Sequence, residues 1–362
     1  MMRMTRRTLF AAAASTAVVG CAAKPPPGAA PAGKGPKPAG PAGSAGVDGA
    51  AGGALAAFTS RAAALVEPSA RFAERARGYR WAEGPAWDRR VGALYFTDVP
   101  ANKAYRWTEA SGAETFLDPS GLAGDTTGFR EPGANGLALS ASGDLLICNH
   151  GTRRVERMDL TTMVRTPIAT AYDGEPFNSP NDLIEAPDGA VYFTDPPYGL
   201  EGLDASPLKR QEANGVYRVS LDGEVTRLVS DMTRPNGIAL SPDSSRLYVS
   251  NSDPALPIIR ELTIVGGAVS ADRVLADFSA FQGEDAPGLP DGMAVAADGV
   301  VFATGPGGIF LVTPDGEVAG RLSTGRPTAN CAFGGEDGGT LFAAAQDRLL
   351  SIPTRTRGLA WG

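Results

Sequence analysis

Six polar residues recur at one position of a repeated pattern in this 362-residue chain: Glu83, Asn135, Asn181, Asn236, Asp291 and Asn330. Each opens a short apolar run, as in Asn135-Gly136-Leu137-Ala138-Leu139 and Asn236-Gly237-Ile238-Ala239-Leu240. Two carboxylates and four amides are oxygen donors, and converging oxygens are what a hard divalent cation takes. One Asn or Asp at a strand start is an ordinary turn residue, but six in one register are not explained that way. Polar groups gathered in a confined space are costly unless something satisfies them. The chain has one histidine and three cysteines, which excludes a zinc site built from Cys and His clusters and a disulfide-dense scaffold. The pattern therefore predicts calcium or a similar ion; the competing reading is a water-filled polar channel.

Elements must bring these residues together. Each run is followed by a tight-turn signal, such as Ser142-Gly143-Asp144 or Pro187-Asp188-Gly189, and then by a second run rich in β-branched and aromatic residues, such as Val191-Tyr192-Phe193-Thr194-Asp195. The units start 52, 46, 55, 55 and 39 residues apart. Periods of this length with about four strands each predict an all-β fold, a six-bladed β-propeller with a divalent metal site in its central channel. The first strand of each blade lines that channel, and the second returns to the same mouth. Its ends carry Asp98, Asn149-His150, Asp195, Asn251-Ser252 and Thr304, so the only histidine stands over the pocket. Ala70–Tyr79 is expected to add the outer strand of blade six, and Leu55–Leu65 a helix on the outside.

The net charge of -7 argues against binding nucleic acid. Arg3, Arg6 and Arg7 precede a short apolar stretch, and Val18-Val19-Gly20-Cys21 resembles a lipobox. Residues 1–21 are thus read as a twin-arginine-type lipoprotein signal with lipidation at Cys21. Residues 22–55, rich in Pro, Gly and Ala, are a tether, and 56–362 the propeller. The expected setting is the cell envelope or periplasm, with membrane contact only through the lipid anchor, as a monomer. Cys148 and Cys331 are expected to be buried free thiols.

Glu83-Gly84-Pro85-Ala86-Trp87, Asn178-Ser179-Pro180-Asn181-Asp182-Leu183, Tyr192-Phe193-Thr194-Asp195-Pro196-Pro197-Tyr198-Gly199, Arg234-Pro235-Asn236-Gly237 and Leu289-Pro290-Asp291-Gly292-Met293 together resemble the SMP-30/gluconolactonase/LRE-like family. Cys148-Asn149-His150-Gly151 is similar to its bacterial gluconolactonase branch. The resemblance implies that Glu83, Asn236 and Asp291 hold the metal, with Asn181 binding it directly or contacting substrate, and that Asp291 also moves the proton. The ion would be Ca2+, with Mn2+, Zn2+ or Mg2+ as alternatives. The implied activity is that of a carboxylic-ester hydrolase, a lactonase that opens a sugar lactone or related cyclic ester by Lewis-acid activation of the carbonyl and of water. His150 is a second candidate base. Asn135, Asn178, Asp182, Asp195 and Tyr198 are expected around the substrate and behind the ligands. Where animal members carry a substrate-contacting arginine, this chain has Ser179. The alternatives are a non-catalytic binding propeller with a structural metal, and an organophosphate or aryl-ester hydrolase using the same ion.

Overall fold

The computed structural model describes residues 54–359. Its strands form six antiparallel blades in chain order. Blade one is typical: Ala82–Asp88, Ala93–Asp98, Lys103–Thr108 and Gly112–Leu117 pair successively. The turns between first and second strands carry left-handed residues where the sequence places Gly or Ser, including Gly143, Gly189, Ser244 and Gly299. The first strands of blades two, four and six are Ala134–Leu139, Pro235–Leu240 and Asn330–Gly334; those of blades three and five, Leu183–Glu185 and Met293–Val295, are shorter.

A ring of blades has no free edge only if the ends of the chain meet. Here Ala73–Arg77 pairs with Arg348–Pro353 and completes blade six, as expected. The outside helix is shorter than expected, running from Ser60 to Leu65. Leu55–Ala57 instead pairs with Val318–Leu322 as a fifth strand on blade five. Alanine favours helix locally, but that open edge offers unpaired backbone groups, and pairing with it prevails. The tether therefore ends before Ala54, whose carbonyl accepts from Ser323. The expected signal, Cys21 and nearly all of the tether lie outside the described residues.

The core is divided into six clusters, each filling the gap between two neighbouring blades. Leu146, Phe177 and Phe193 lie between blades two and three, and Phe96, Trp107 and Phe342 close the ring between six and one. Both second-strand faces are buried, which explains runs such as Leu145–Cys148 without polar alternation. Cys148 and Cys331 are buried and unbridged, as expected.

Candidate metal centre at the channel mouth

Each of the six repeat residues sits at or just before the start of a first strand, four of them inside it. The strand is broken there by a bulge, between Glu83 and Ala86, Ala134 and Leu137, and Pro235 and Ile238. In four blades the next residue is glycine, and the reason is the neighbouring blade. A Cβ on Gly84 would lie 2.2 Å from the Asn135 carbonyl oxygen, and one on Gly237 2.1 Å from that of Asp291. Hydroxyls from second strands fasten the same carbonyls. Thr97 donates to the Asn135 oxygen (3.0 Å), Thr194 to that of Asn236 (2.6 Å) and Ser250 to that of Asp291 (2.8 Å). Asn181 is held in the same ring by the Gly136 amide, which donates to its carbonyl at 2.7 Å.

Blade three breaks the glycine rule with Asp182, which adds a carboxylate below the ring. Its Oδ1 accepts from the Leu183 amide (3.0 Å). Burial pushes its carboxyl from 3.8 up to about 7. Glu83 is buried, and its Oε2 accepts from the Gly84 amide at 2.7 Å. Burial, aided by the charges of Asp182 and Glu131, pushes its carboxyl to about 8. Asp291 is partly exposed at the opening, yet its Oδ1 is buried without a partner. Burial and the negative charges of Glu83, Asp182 and Glu131 hold its carboxyl well above the usual range. Asn330 lies beside both Glu83 and Asp182 and favours their charged forms, a smaller effect than their burial. The charges acting on this cluster are other carboxylates.

Buried carboxylates without a counter-charge, one with an orphaned oxygen, and amides between them fit a hard cation. Among the described residues no three His, Cys, Asp or Glu side chains come together as a site of their own. A site here thus has to recruit amide oxygens, and Glu83, Asn181, Asn236 and Asp291 offer the mixed set.

The remaining expected residues surround the mouth in different ways. Asn236 donates to the Ser252 hydroxyl (2.9 Å), and Tyr198 reaches over it toward the Ser252 carbonyl (3.5 Å). His150 is fully buried, its Nε2 3.1 Å from the Asn135 amide nitrogen. Burial, with Arg130 nearby, pushes the imidazole from 6.5 down to about 3, so it is neutral. Asp195 accepts from the Asn178 amide (2.7 Å), just as Asp98 accepts from Arg80 and Trp81 and Asn251 from Arg234. These second-strand ends therefore fix the approach to each first strand rather than lining the pocket. Asn178 turns its amide into the protein, toward Asp195, Ala213 and Asn214. Ser179 is buried and clamps the following turn, accepting from Gly199 (2.9 Å) and donating to Pro196 (2.6 Å).

Glu131 was not anticipated. It lies in the loop before blade two, outside the repeat register, and only the fold brings it beside His150. Burial pushes its carboxyl to about 7 despite Arg130. Below the polar ring the channel opens into an apolar cavity of about 450 Å³, lined by Trp87, Leu139, Leu240, Met293 and Phe333, with Asp182 and Asn330 at its polar end.

A six-bladed propeller with buried oxygen donors at one end of its axis defines a class of protein, and the comparisons place the chain within it. Residues 81–346 match the SMP-30/gluconolactonase/LRE-like region. The chain belongs to that family. It is 41% identical to a gluconolactonase of Zymomonas mobilis, over 84% of this chain and 87% of that protein. It is 27% identical to pentonolactonase XacC of Haloferax volcanii, over 73% of this chain and 80% of that one. Among solved structures it is similar to a gluconolactonase of Xanthomonas campestris, with a TM-score of 0.71 and 29% identity, covering 83% of this chain and 94% of that one.

Proposed function

We propose that this protein is a lactonase, a carboxylic-ester hydrolase that opens a sugar lactone or related cyclic ester with one divalent cation at the channel mouth. The observation that carries this reading is the uncompensated set of Glu83, Asp182 and Asp291 at the mouth of a propeller 41% identical to a gluconolactonase. Glu83, Asn181, Asn236 and Asp291 are the residues that would hold the cation, calcium first because every donor is oxygen. When bound, the cation supplies Lewis acidity toward the lactone carbonyl.

The chain's own residues do the rest. Asp291, raised and partly exposed, takes the proton from the attacking water and returns it to the ring oxygen as the ester bond breaks, leaving a hydroxy acid. It is favoured over His150, which is fully buried and whose Nε2 faces Asn135. Tyr198 walls one side of the mouth, and Ser179 holds the loop that carries it.

Hydrolysis of several sugar lactones with calcium, manganese, zinc, magnesium and EDTA compared tests this reading. Turnover should vanish with chelator and return with one of the ions; undiminished turnover in EDTA would refute the metal role. Cell-envelope localisation and a Cys21 anchor follow from the leader alone, and among the described residues no helix is long and apolar enough to cross a membrane. Cys21→Ser should move the protein from the membrane to the soluble fraction, and an unchanged distribution would refute the anchor.

A further inference from the structure

Glu131 has a place in the site that deepens the lactonase reading and rests on it. Its carboxylate spans two partners. Oε1 pairs with Arg130 at 2.8 Å, and Oε2 faces the His150 Nδ1 at 3.7 Å. That Nδ1 is buried without a close hydrogen bond, and the Glu131 backbone carbonyl also faces the ring. The contact is longer than a hydrogen bond, as contacts in ligand-free sites often are. The Glu131 backbone carbonyl and the ionised Glu131 carboxylate both only accept, so the side of the ring they face carries the proton. Nε2 is then the lone-pair nitrogen, and the Asn135 side-chain Nδ2 donates to it at 3.1 Å. The amide is thereby fixed one way round. Asn135 Oδ1 is turned off the imidazole, buried and without a partner, at a position in the ring of the mouth. A buried carbonyl with no donor from the protein calls for one from a ligand.

The clamp behind this chain is built from motifs of blade three. The Gly199 carbonyl accepts from the amides of Arg130 (3.0 Å) and Glu131 (3.3 Å), while its own amide donates to Ser179. A Cβ on Gly199 would come within 2.7 Å of the His150 Cβ. The Asp195-Pro196-Pro197-Tyr198-Gly199 turn thus presses Glu131 and His150 together.

We infer that Glu131 is a positioning residue: it fixes the His150 tautomer, the imidazole fixes the Asn135 amide, and the Asn135 carbonyl accepts a hydroxyl of a polyhydroxylated lactone.

His150 is the only histidine in the chain, so 15N-histidine labelling gives a single pair of ring signals. At pH 8, where the Glu131 carboxyl is ionised, the wild-type protein should show a protonated Nδ1 and an unprotonated Nε2; the opposite tautomer overturns the inference. In Glu131→Leu that preference should weaken, because only the backbone carbonyl of residue 131 then faces the ring. KM for gluconolactone should then rise about tenfold relative to that for δ-valerolactone, which has no hydroxyl, one hydrogen bond's worth; the loss of the Glu131 charge near Asp291 acts on both lactones alike and cancels in the ratio. Glu131→Gln, which keeps an acceptor, should recover most of the loss. Equal losses on both lactones, or none, overturn the inference. If Glu131→Leu does not fold, the wild-type tautomer and the Gln variant decide. A wild-type protein that opens neither lactone refutes the lactonase reading instead, and the tautomer still decides whether Glu131 positions the ring.

Discussion

Replacing Asp182 by Asn should stabilise the metal-free protein, and only away from acid pH. The carboxyl of Asp182 is held near 7 in the fold, against 3.8 unperturbed, chiefly by burial. Between about pH 4 and pH 7 the folded state binds the proton that the unfolded state has lost. Stability therefore falls as pH rises through that window and is level above it. At ~1.4 kcal/mol per pH unit, the cost of the charged group reaches about 4 kcal/mol by pH 8. Asn keeps an acceptor for the Leu183 amide but gives up the weaker contact from the Ile238 amide at 3.4 Å, a loss of about 1 kcal/mol. The net expectation is a gain of about 3 kcal/mol at pH 8 and close to none at pH 5. Urea denaturation in EDTA at the two pH values measures it. Calcium should narrow the difference, since the wild-type carboxylates then face a cation. At a hundredfold excess over Kd the ion adds about 2.7 kcal/mol, and Asp182→Asn should gain less. A variant weaker than wild type at pH 8 in EDTA, or a difference that does not change with pH, would refute the idea that the mouth holds uncompensated charge, and the cation argument with it.

Asp291→Ala should lower kcat by two to four orders of magnitude, the usual contribution of a positioned base; near-normal turnover with calcium still bound, by calorimetry, would remove Asp291 from the chemistry. Gly237→Ala should cost several kcal/mol, because its Cβ would sit 2.1 Å from the Asp291 carbonyl oxygen, a backbone atom fixed by Ser250. Its melting temperature should fall and its response to calcium weaken, and unchanged melting would show that the two blades can separate at no cost.

The ring of donors was legible because its signal is chemical: carboxylates and amides at one register of a repeat stand out against apolar runs. Two further layers of that register were in the sequence but less visible. The glycine after the donor recurs in four blades, and a hydroxyl recurs one residue before the end of the second strand, at Thr97, Thr194, Ser250 and Thr304. Such residues read as ordinary strand and turn material until the neighbouring carbonyl is seen. Glu131 was not legible at all. It follows no repeat, and its partner His150 is brought to it only when blade two folds and the Gly199 turn closes on both. The strand at Leu55–Ala57 was hidden for a related reason, since its alanines favour helix and only the open edge of blade five overrides them.

These layers bear on how the site behaves as a unit. The carbonyls of Asn135, Asn181, Asn236 and Asp291 each accept from the preceding blade, and the Gly292 amide donates to Ala329 beside Asn330 at 2.7 Å. The last step of the ring is made by the Ala82 amide, which donates to Gln346 at 2.7 Å. Every donor is therefore placed by contacts between blades as well as within one. Repulsion among Glu83, Asp182 and Asp291 acts across the same contacts, pushing apart blades that the hydroxyls and glycines hold together. A cation at the mouth would relieve that repulsion at the one place where all the blades meet, so its binding should register as stability of the whole propeller and not as the ordering of a single loop.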